Sequence, residues 1–457
     1  MERKQQSHRS LLLYFLLLLC AIVYYFLGYQ TARENFVQVF SLFTFLFAAY
    51  YIAYKFFSIT HFKILLFFGI AFRLLLLFSV PNLSDDVYRF IWDGRLAANC
   101  INPFSNLPSE IIQMPPVTGI TKELFSQLNS QGHYTIYPPL LQGIFWLTAK
   151  LFPVNVFGSI VFLKSIIMLF ELATFSLLIQ LLKKLALPKH FSLLYILNPL
   201  VITELTGNVH FDGVMIFFVL LAFLLIIKSN WQISAISIGL GIASKLLPVL
   251  FIPLLINKLG WKKGLLYSMI TAATTIILFA FVFDIATAQH LLNSVDLFIQ
   301  KFEFNASVYY VVRYIGTLIK GYNIIAIAGP FLILLSALII FIISLRNKNI
   351  GWQSFFTKAL FIITAWFLFS TTVHPWYICL PVALAVFTNF RYAIIWSFTA
   401  TLSYAAYQSN PVHENLWLVG SGYIFMIGYG IWKIYKSIIA KSGITNFEEK
   451  KNSFIRN

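Results

Sequence analysis

The sequence predicts an all-α, polytopic integral membrane protein, and three observations predict it. The chain of 457 residues is 59% hydrophobic and 18% aromatic, with only 11% charged residues, where a soluble domain carries about 25%. Its mean hydropathy of +0.81 is gathered into apolar runs, and a hydrocarbon core of about 30 Å takes about 20 such residues in a helix. Basic residues fall in alternate links between those runs, the asymmetry that orients membrane helices with Lys and Arg inside.

Spans are expected at 11 to 28, 36 to 54, 64 to 80, 156 to 182, 191 to 206, 213 to 227, 264 to 283, 321 to 345, 355 to 372, 377 to 389, 392 to 408 and 416 to 435. The stretch 231 to 256 could hold one tilted helix, but Gly239, Gly241, Lys245, Pro248 and Pro253 interrupt it, and Lys228 on one side faces Lys258, Lys262 and Lys263 on the other. Basic flanks at both ends require the segment to break into two short helices that return to the cytoplasmic side. The architecture is a single transmembrane domain of roughly 12–14 helices.

Orientation follows from Arg3, Lys4 and Arg9, then Lys55 and Lys63, Lys183, Lys184 and Lys189, Arg346, Lys348 and Lys358, Arg391, and a tail with Lys433, Lys436, Lys441, Lys450, Lys451 and Arg456. Both termini are expected in the cytoplasm. The net charge of +17 then describes inner-face loops against anionic membrane lipids and calls for no nucleic-acid partner. The first apolar segment has no small-residue cleavage site ahead of Gly28, Tyr29 and Gln30, so it reads as a retained anchor. Of three cysteines, Cys20 and Cys379 fall in spans and Cys100 outside, which leaves no disulfide framework.

Two outer loops are long, 81–155 and 284–320, and loops of that length are usually functional. The apolar stretch 140 to 152 in the first is too short to cross and is expected to lie on or partly in the surface, with Trp146 and Lys150 at headgroup level.

The acidic residues number only 16, and Asp85, Asp86 and Asp93 stand together at the start of the first long loop. A charge beside hydrocarbon costs about 2.5–3.5 kcal/mol, so a carboxylate pair at a membrane exit points to chemistry at the surface. On the same face lie Arg89 and Arg95, Tyr137 before Pro138 and Pro139, Asn208, His210 and Asp212, Lys245, Asn305 with Tyr309, Tyr310 and Arg313, and His374 before Pro375, Trp376 and Tyr377. Structural roles compete for several of these: a rim ion pair for Asp93 with Arg95, a helix start for the prolines, a capped helix end for His374, snorkelling for Lys245. The adjacent carboxylates have no Cys or His at ligand spacing and make a poor zinc site.

Asp85-Asp86-Val87-Tyr88-Arg89-Phe90 and Trp92-Asp93-Gly94-Arg95, followed by Asn102-Pro103-Phe104 and Tyr137-Pro138-Pro139-Leu140, resemble the acidic outer-loop motif of GT-C class glycosyltransferases that use polyprenyl-phosphate sugars, especially bacterial mannosyltransferase-like members. Asn198-Pro199-Leu200 with Glu204, His210-Phe211-Asp212, Lys245 with Pro248, Phe304-Asn305-Ala306-Ser307 with Tyr309-Tyr310, and His374-Pro375-Trp376-Tyr377 continue the resemblance in order over 64 to 390. Two spans precede the motif-bearing helix where many members have one, and the acids are adjacent where the enzyme that mannosylates GPI-anchor precursors has a separated Asp-x-Asp.

The resemblance implies transfer of a single sugar, mannose by family, from a polyprenyl-phosphate donor to a hydroxyl of a glycan, lipid or protein acceptor, with inversion. It places the protein in a bacterial inner membrane with the site facing the periplasm or outside. No cofactor is implied. The scheme needs no metal, although two carboxylates could hold one. Asp85 is the implied base and Asp86 the alternative. Arg89, Lys245 and Arg313 are the implied phosphate contacts, His374 and Tyr377 shape the pocket, and Arg95, Tyr137, His210, Asp212, Asn305 and Tyr309 complete the binding set. The competing class is a lipid-linked glycan flippase or carrier, for which Arg73, Lys164, Glu171 and Lys245 would be the intramembrane charges. Such carriers show polar breaks in paired halves, and the sequence offers one, near Lys245. A lipid-linked polymerase or ligase is a nearer rival.

Overall fold

The computed structural model describes residues 2–282, 285–347 and 350–442. The expected charges Lys348, Lys450, Lys451 and Arg456 and the loop boundary at Asp284 lie outside the described residues, and the side chains of Arg3, Lys4 and Lys441 are not described. Among the described residues every regular element is helical, with one isolated bridge between Phe304 and Thr372.

Helices α1 (Glu2–Tyr29), α2 (Phe36–Phe57) and α3 (Phe62–Leu76) bring the chain to the first long loop, which contains α4 (Asp86–Ala98), α5 (Pro108–Ile111), α6 (Lys122–Ser126) and α7 (Pro139–Leu151). Helix α8 (Val156–Lys184) follows, then a broken run: a 3₁₀ turn (Lys189–Ser192), α9 (Leu193–Ile196), α10 (Pro199–Val201), a π turn (Ile202–Gly207) and α11 (Asp212–Ile227). Next come α12 (Trp231–Ile242), a 3₁₀ turn (Leu247–Phe251), α13 (Ile252–Leu259) and α14 (Trp261–Ala280). The second long loop is built of α15 (Ile285–Gln300) and α16 (Val308–Lys320). Helices α17 (Ile325–Leu345), α18 (Trp352–Phe369), α19 (Cys379–Ala385), α20 (Tyr392–Thr399) and α21 (Leu416–Ser442) close the bundle.

The helix starts have local causes. Asn35 accepts from the Gln38 amide at 3.3 Å and Asn155 from the Gly158 amide at 2.9 Å, each satisfying a donor that the first turn leaves open. Asn198 does this for Leu200 and Val201 with Pro199 at the first helical position.

Among the described residues, six helices are long and apolar enough to span a membrane, within α1, α2, α8, α14, α17 and α18, or seven if Pro199–Gly207 and Asp212–Ile227 count as one span bent by 115°. Of the other expected spans, 416 to 435 lies within the 27-residue α21, and the rest are shorter helices and turns. Hydropathy reports that 191 to 227 is apolar, but not that Pro199, a π turn and the polar Asn208, His210 and Asp212 fold it sharply. The break expected near Lys245 is present between α12 and the turn at Leu247. The expectation of one broken segment is thus corrected to two.

Helix α7 packs along α4. Phe90 and Phe145 stack at 4.8 Å and 10°, and the closeness rests on Gly94, where a Cβ would stand 2.2 Å from the Phe145 carbonyl oxygen. Backbone cannot yield as a flexible side chain does, so Gly94→Ala is expected to cost about 1–3 kcal/mol. A lowered thermal midpoint of the detergent-purified protein checks it. The two long loops also dock: His290 Nδ1 lies 2.7 Å from the Phe104 carbonyl, and its ring stacks on Tyr134 at 3.9 Å.

Candidate active site

The site stands on a buried ionic pin. Arg73 on α3 and Glu171 on α8, both fully buried, pair through two 2.9 Å contacts. The second arginine arm donates to the Gly69 and Ile196 carbonyls at 2.8 Å, and Thr206 donates to Glu171 at 2.7 Å. A buried charge pair holds only when its remaining donors and acceptors are met, and here they are. Lys164 closes the end of α3, donating to the Leu76 carbonyl and to the carbonyl and hydroxyl of Ser79 at 2.7–2.8 Å. These three intramembrane charges therefore clamp α3, α8 and the π turn together. Single-turn π segments are frequent at functional sites; this one presents Glu204 and leads into the loop with His210.

The two aspartates at the start of α4 have different surroundings. Asp85 precedes the helix and is held by Arg33 at 2.6 Å; Arg33 also lies over the Tyr407 ring at 5.0 Å. Asp86, in the first turn, accepts from Asn129 Nδ2 at 2.9 Å on one oxygen, while the other lies 3.9 Å from His210 Nε2. The imidazole of His210 stacks on Trp376 at 3.7 Å, Trp376 stacks on His374 at 4.4 Å and 2°, and His374 stacks on Phe304 at 5.0 Å. Burial pushes His374 down to about 3, against the pull of Asp86, so its ring is neutral at ordinary pH and its buried Nδ1 has no partner in the protein.

Beside this stack, Lys245 in the break after α12 meets both oxygens of Asp212 at 2.7 and 2.8 Å and lies 3.9 Å over the Tyr377 ring. Tyr137 sets its ring edge-on to Phe90 at 4.7 Å, and burial raises its phenol well above the ordinary range, with Asp86 adding to the effect. The arrangement is a carboxylate, two imidazoles and an ammonium gathered around Trp376 and Tyr377. Among the described residues, no group of three or more His, Cys, Asp or Glu is placed to hold a metal ion.

A second polar cluster lies on the second long loop. Arg313 pairs with Glu303 and covers Tyr310, which donates to Glu414; Tyr309 donates to Glu303 at 2.6 Å and to Asn323 at 2.9 Å. Asn305, at φ +47°, donates its amide to Glu414 at 2.6 Å and its side chain to the Val373 carbonyl at 3.0 Å. Asparagine tolerates this left-handed backbone better than most residues. Burial raises Glu414, with the bonds from Tyr310 and Asn305 working against it. The cluster fixes the loop to the segment that carries His374.

A family model described as alpha-(1->6)-mannopyranosyltransferase, N-terminal domain, matches residues 24–259. That is just over half of the chain. The chain belongs to this mannopyranosyltransferase family. No curated protein matches it. Membership places the chain, at the family level, among membrane glycosyltransferases of the mannosyltransferase type. The matched region holds Asp85, Asp86, Glu204, His210, Asp212 and Lys245; His374 and Tyr377 come from beyond it.

The structure thus brings together Asp85, Asp86, Tyr137, His210, Asp212, Lys245, His374 and Tyr377, and places Asn305, Tyr309 and Arg313 in the second cluster. Arg89 is buried and donates to Asp93 at 2.8 Å and to the Ser130 and His133 carbonyls at 3.1 and 2.8 Å. Arg95 is buried and donates to the Gly119 carbonyl at 2.6 Å, and burial lowers it. The reading of Asp93 with Arg95 as a rim pair is corrected. Asp93 is 0% exposed, its cation is Arg89, and Thr135 and Gln142 also donate to it at 2.5 and 3.1 Å. The i, i+4 spacing of Arg89 and Asp93 was the available signal. Sequence reasoning passed over Arg33 and Asn129 as site residues; Arg33, a basic residue in a link expected outside and so against the usual charge asymmetry, was legible in principle.

Proposed function

We propose that the protein transfers one sugar, mannose, from a polyprenyl-phosphate donor to an acceptor hydroxyl at the outer membrane face, with inversion, and that Asp86 is the general base. The observation that carries this reading is the contrast between the paired aspartates. Asp85 is engaged by the Arg33 guanidinium at 2.6 Å, whereas Asp86 is held by a neutral amide and turns its other oxygen toward His210.

The acceptor oxygen attacks the anomeric carbon, its proton passes to Asp86, and the bond from that carbon to the phosphate oxygen breaks with its electron pair on the phosphate. Inversion yields an α product, as in the family's name, from a β-linked donor. Lys245, a quarter exposed and already oriented by Asp212, is the cation for the phosphate, where it supports charge in the ground state and in the transition state. The acceptor is a hydroxyl of a glycan, lipid or protein. Arg89 and Arg95, being buried and bonded within the first loop, are assigned to positioning that loop.

The carrier reading is favoured by one observation, the second broken segment at Pro199–Ile227. Against it, Arg73, Lys164 and Glu171 are fully buried with their partners satisfied, so none lines a path.

The expected outcome is that purified protein consumes polyprenyl-phosphate mannose with no nucleotide sugar present. Turnover of GDP- or UDP-sugars without activity on the lipid-linked donor would refute the donor assignment.

A further inference from the structure

A proton taken up by Asp86 must leave before the next turnover, and Asp86 is backed by a buried group that can receive it. His210 has a side chain 3% exposed, and its Nε2 has no hydrogen-bond partner in the protein. Nδ1 lies 3.0 Å from the main-chain carbonyl of Glu204. A carbonyl only accepts, so Nδ1 carries the hydrogen and Nε2 presents a lone pair. That lone pair looks across 3.9 Å at the second oxygen of Asp86. Two acceptors face each other with no donor between them, and what fits there is a hydroxyl hydrogen or a proton in transit.

Behind the ring, the Glu204 carboxylate is fully buried. Its Oε2 lies 3.3 Å from Nδ1 without taking that hydrogen, while its Oε1 accepts from Asn208 at 3.2 Å and from the Tyr404 hydroxyl. The Glu204 carboxylate at the ring edge and the Trp376 face at 3.7 Å both present negative potential to the ring. The ring cannot turn away, since Trp376 covers it and the π turn carrying Glu204 is tied to the Arg73–Glu171 pin through Thr206.

We propose that His210 receives the acceptor's proton from Asp86, and that Glu204 is a positioning residue that fixes the ring and supports its charge. This rests on the transfer reaction assigned above. The proton leaves the acceptor oxygen as that oxygen bonds to the anomeric carbon, passes to Asp86 and then to Nε2, giving an imidazolium beside Glu204. The electron pair of the broken bond stays on polyprenyl phosphate, and no oxidant or reductant is needed.

The test uses the full-length protein with polyprenyl-phosphate mannose and acceptor at saturation. His210→Ala is expected to lower kcat by about 100-fold or more, the scale of a lost proton acceptor. Added imidazole should restore at least about tenfold of the loss on the same scale. Pyrazole, equal in size but a far weaker base, should not restore it. Near-normal kcat in His210→Ala, or equal rescue by the two additives, would overturn the proposal, because the ring would then be a filler. Should His210→Ala fail to fold, Glu204→Gln decides: it keeps shape and neutral hydrogen bonding, so kcat should fall about tenfold or more with donor KM unchanged, and normal kcat overturns the relay. Asp86→Asn run in parallel separates the failures. An inactive Asp86→Asn beside an active His210→Ala removes only the relay, while an active Asp86→Asn removes the assignment of Asp86 as the base on which the relay rests.

Discussion

Asp86→Asn is expected to lower kcat by about 10²- to 10⁴-fold, the contribution of a positioned general base. The substitution keeps the size of the side chain and an oxygen to accept from Asn129, so the start of α4 should stay in place. What it removes is the proton acceptor facing His210, so donor affinity should be largely retained. Asp85→Asn is the control. It loosens the contact with Arg33, in which both side chains are about a third exposed, and exposed pairs are worth about 0–1 kcal/mol. Steady-state kinetics on both variants distinguish the two carboxylates: a severe loss at Asp85 with a mild one at Asp86 would return the base to the residue that the family resemblance alone implied.

The second large effect is expected at the buried ionic pin. Arg73→Met should destabilise the protein by about 3–5 kcal/mol, because it leaves the Glu171 carboxylate buried and without its cation. The cost comes from the orphaned charge and not from the loss of a strong bond, so the double variant Arg73→Met, Glu171→Leu should regain much of the stability, as replacements of whole buried pairs by apolar groups often do. Thermal unfolding in detergent checks both. An undisturbed midpoint in Arg73→Met would mean that the pin does not hold α3, α8 and the π turn together.

The architecture was legible where the physics is local. Runs such as Phe36–Phe57 and Ile325–Leu345 announce themselves because about 20 apolar residues have few other uses. The fold at Pro199–Ile227 was not legible as a bend, since hydropathy averages over Asn208, His210 and Asp212 and carries no angle. The types of residue that chemistry needs were visible: adjacent acids at a membrane exit, His210, Lys245, His374. Their pairing was not. Arg33 with Asp85, Glu204 with Tyr404 and Asp93 with Thr135 and Gln142 join positions far apart in the chain. Sequence also shows that Arg89 and Arg95 are charged without showing that they are buried, which is why Arg89 read as a phosphate contact and Arg95 as part of the binding set.

The central claim is that a bond is broken at Asp86, and not that a lipid is moved past it. Proteoliposomes containing the protein, polyprenyl-phosphate mannose labelled in the sugar, and an acceptor give the most direct measurement. Transfer predicts that label appears on the acceptor in step with free polyprenyl phosphate, and that Asp86→Asn abolishes both. Movement of the intact labelled donor between leaflets, with no polyprenyl phosphate released and no effect of Asp86→Asn, would contradict it.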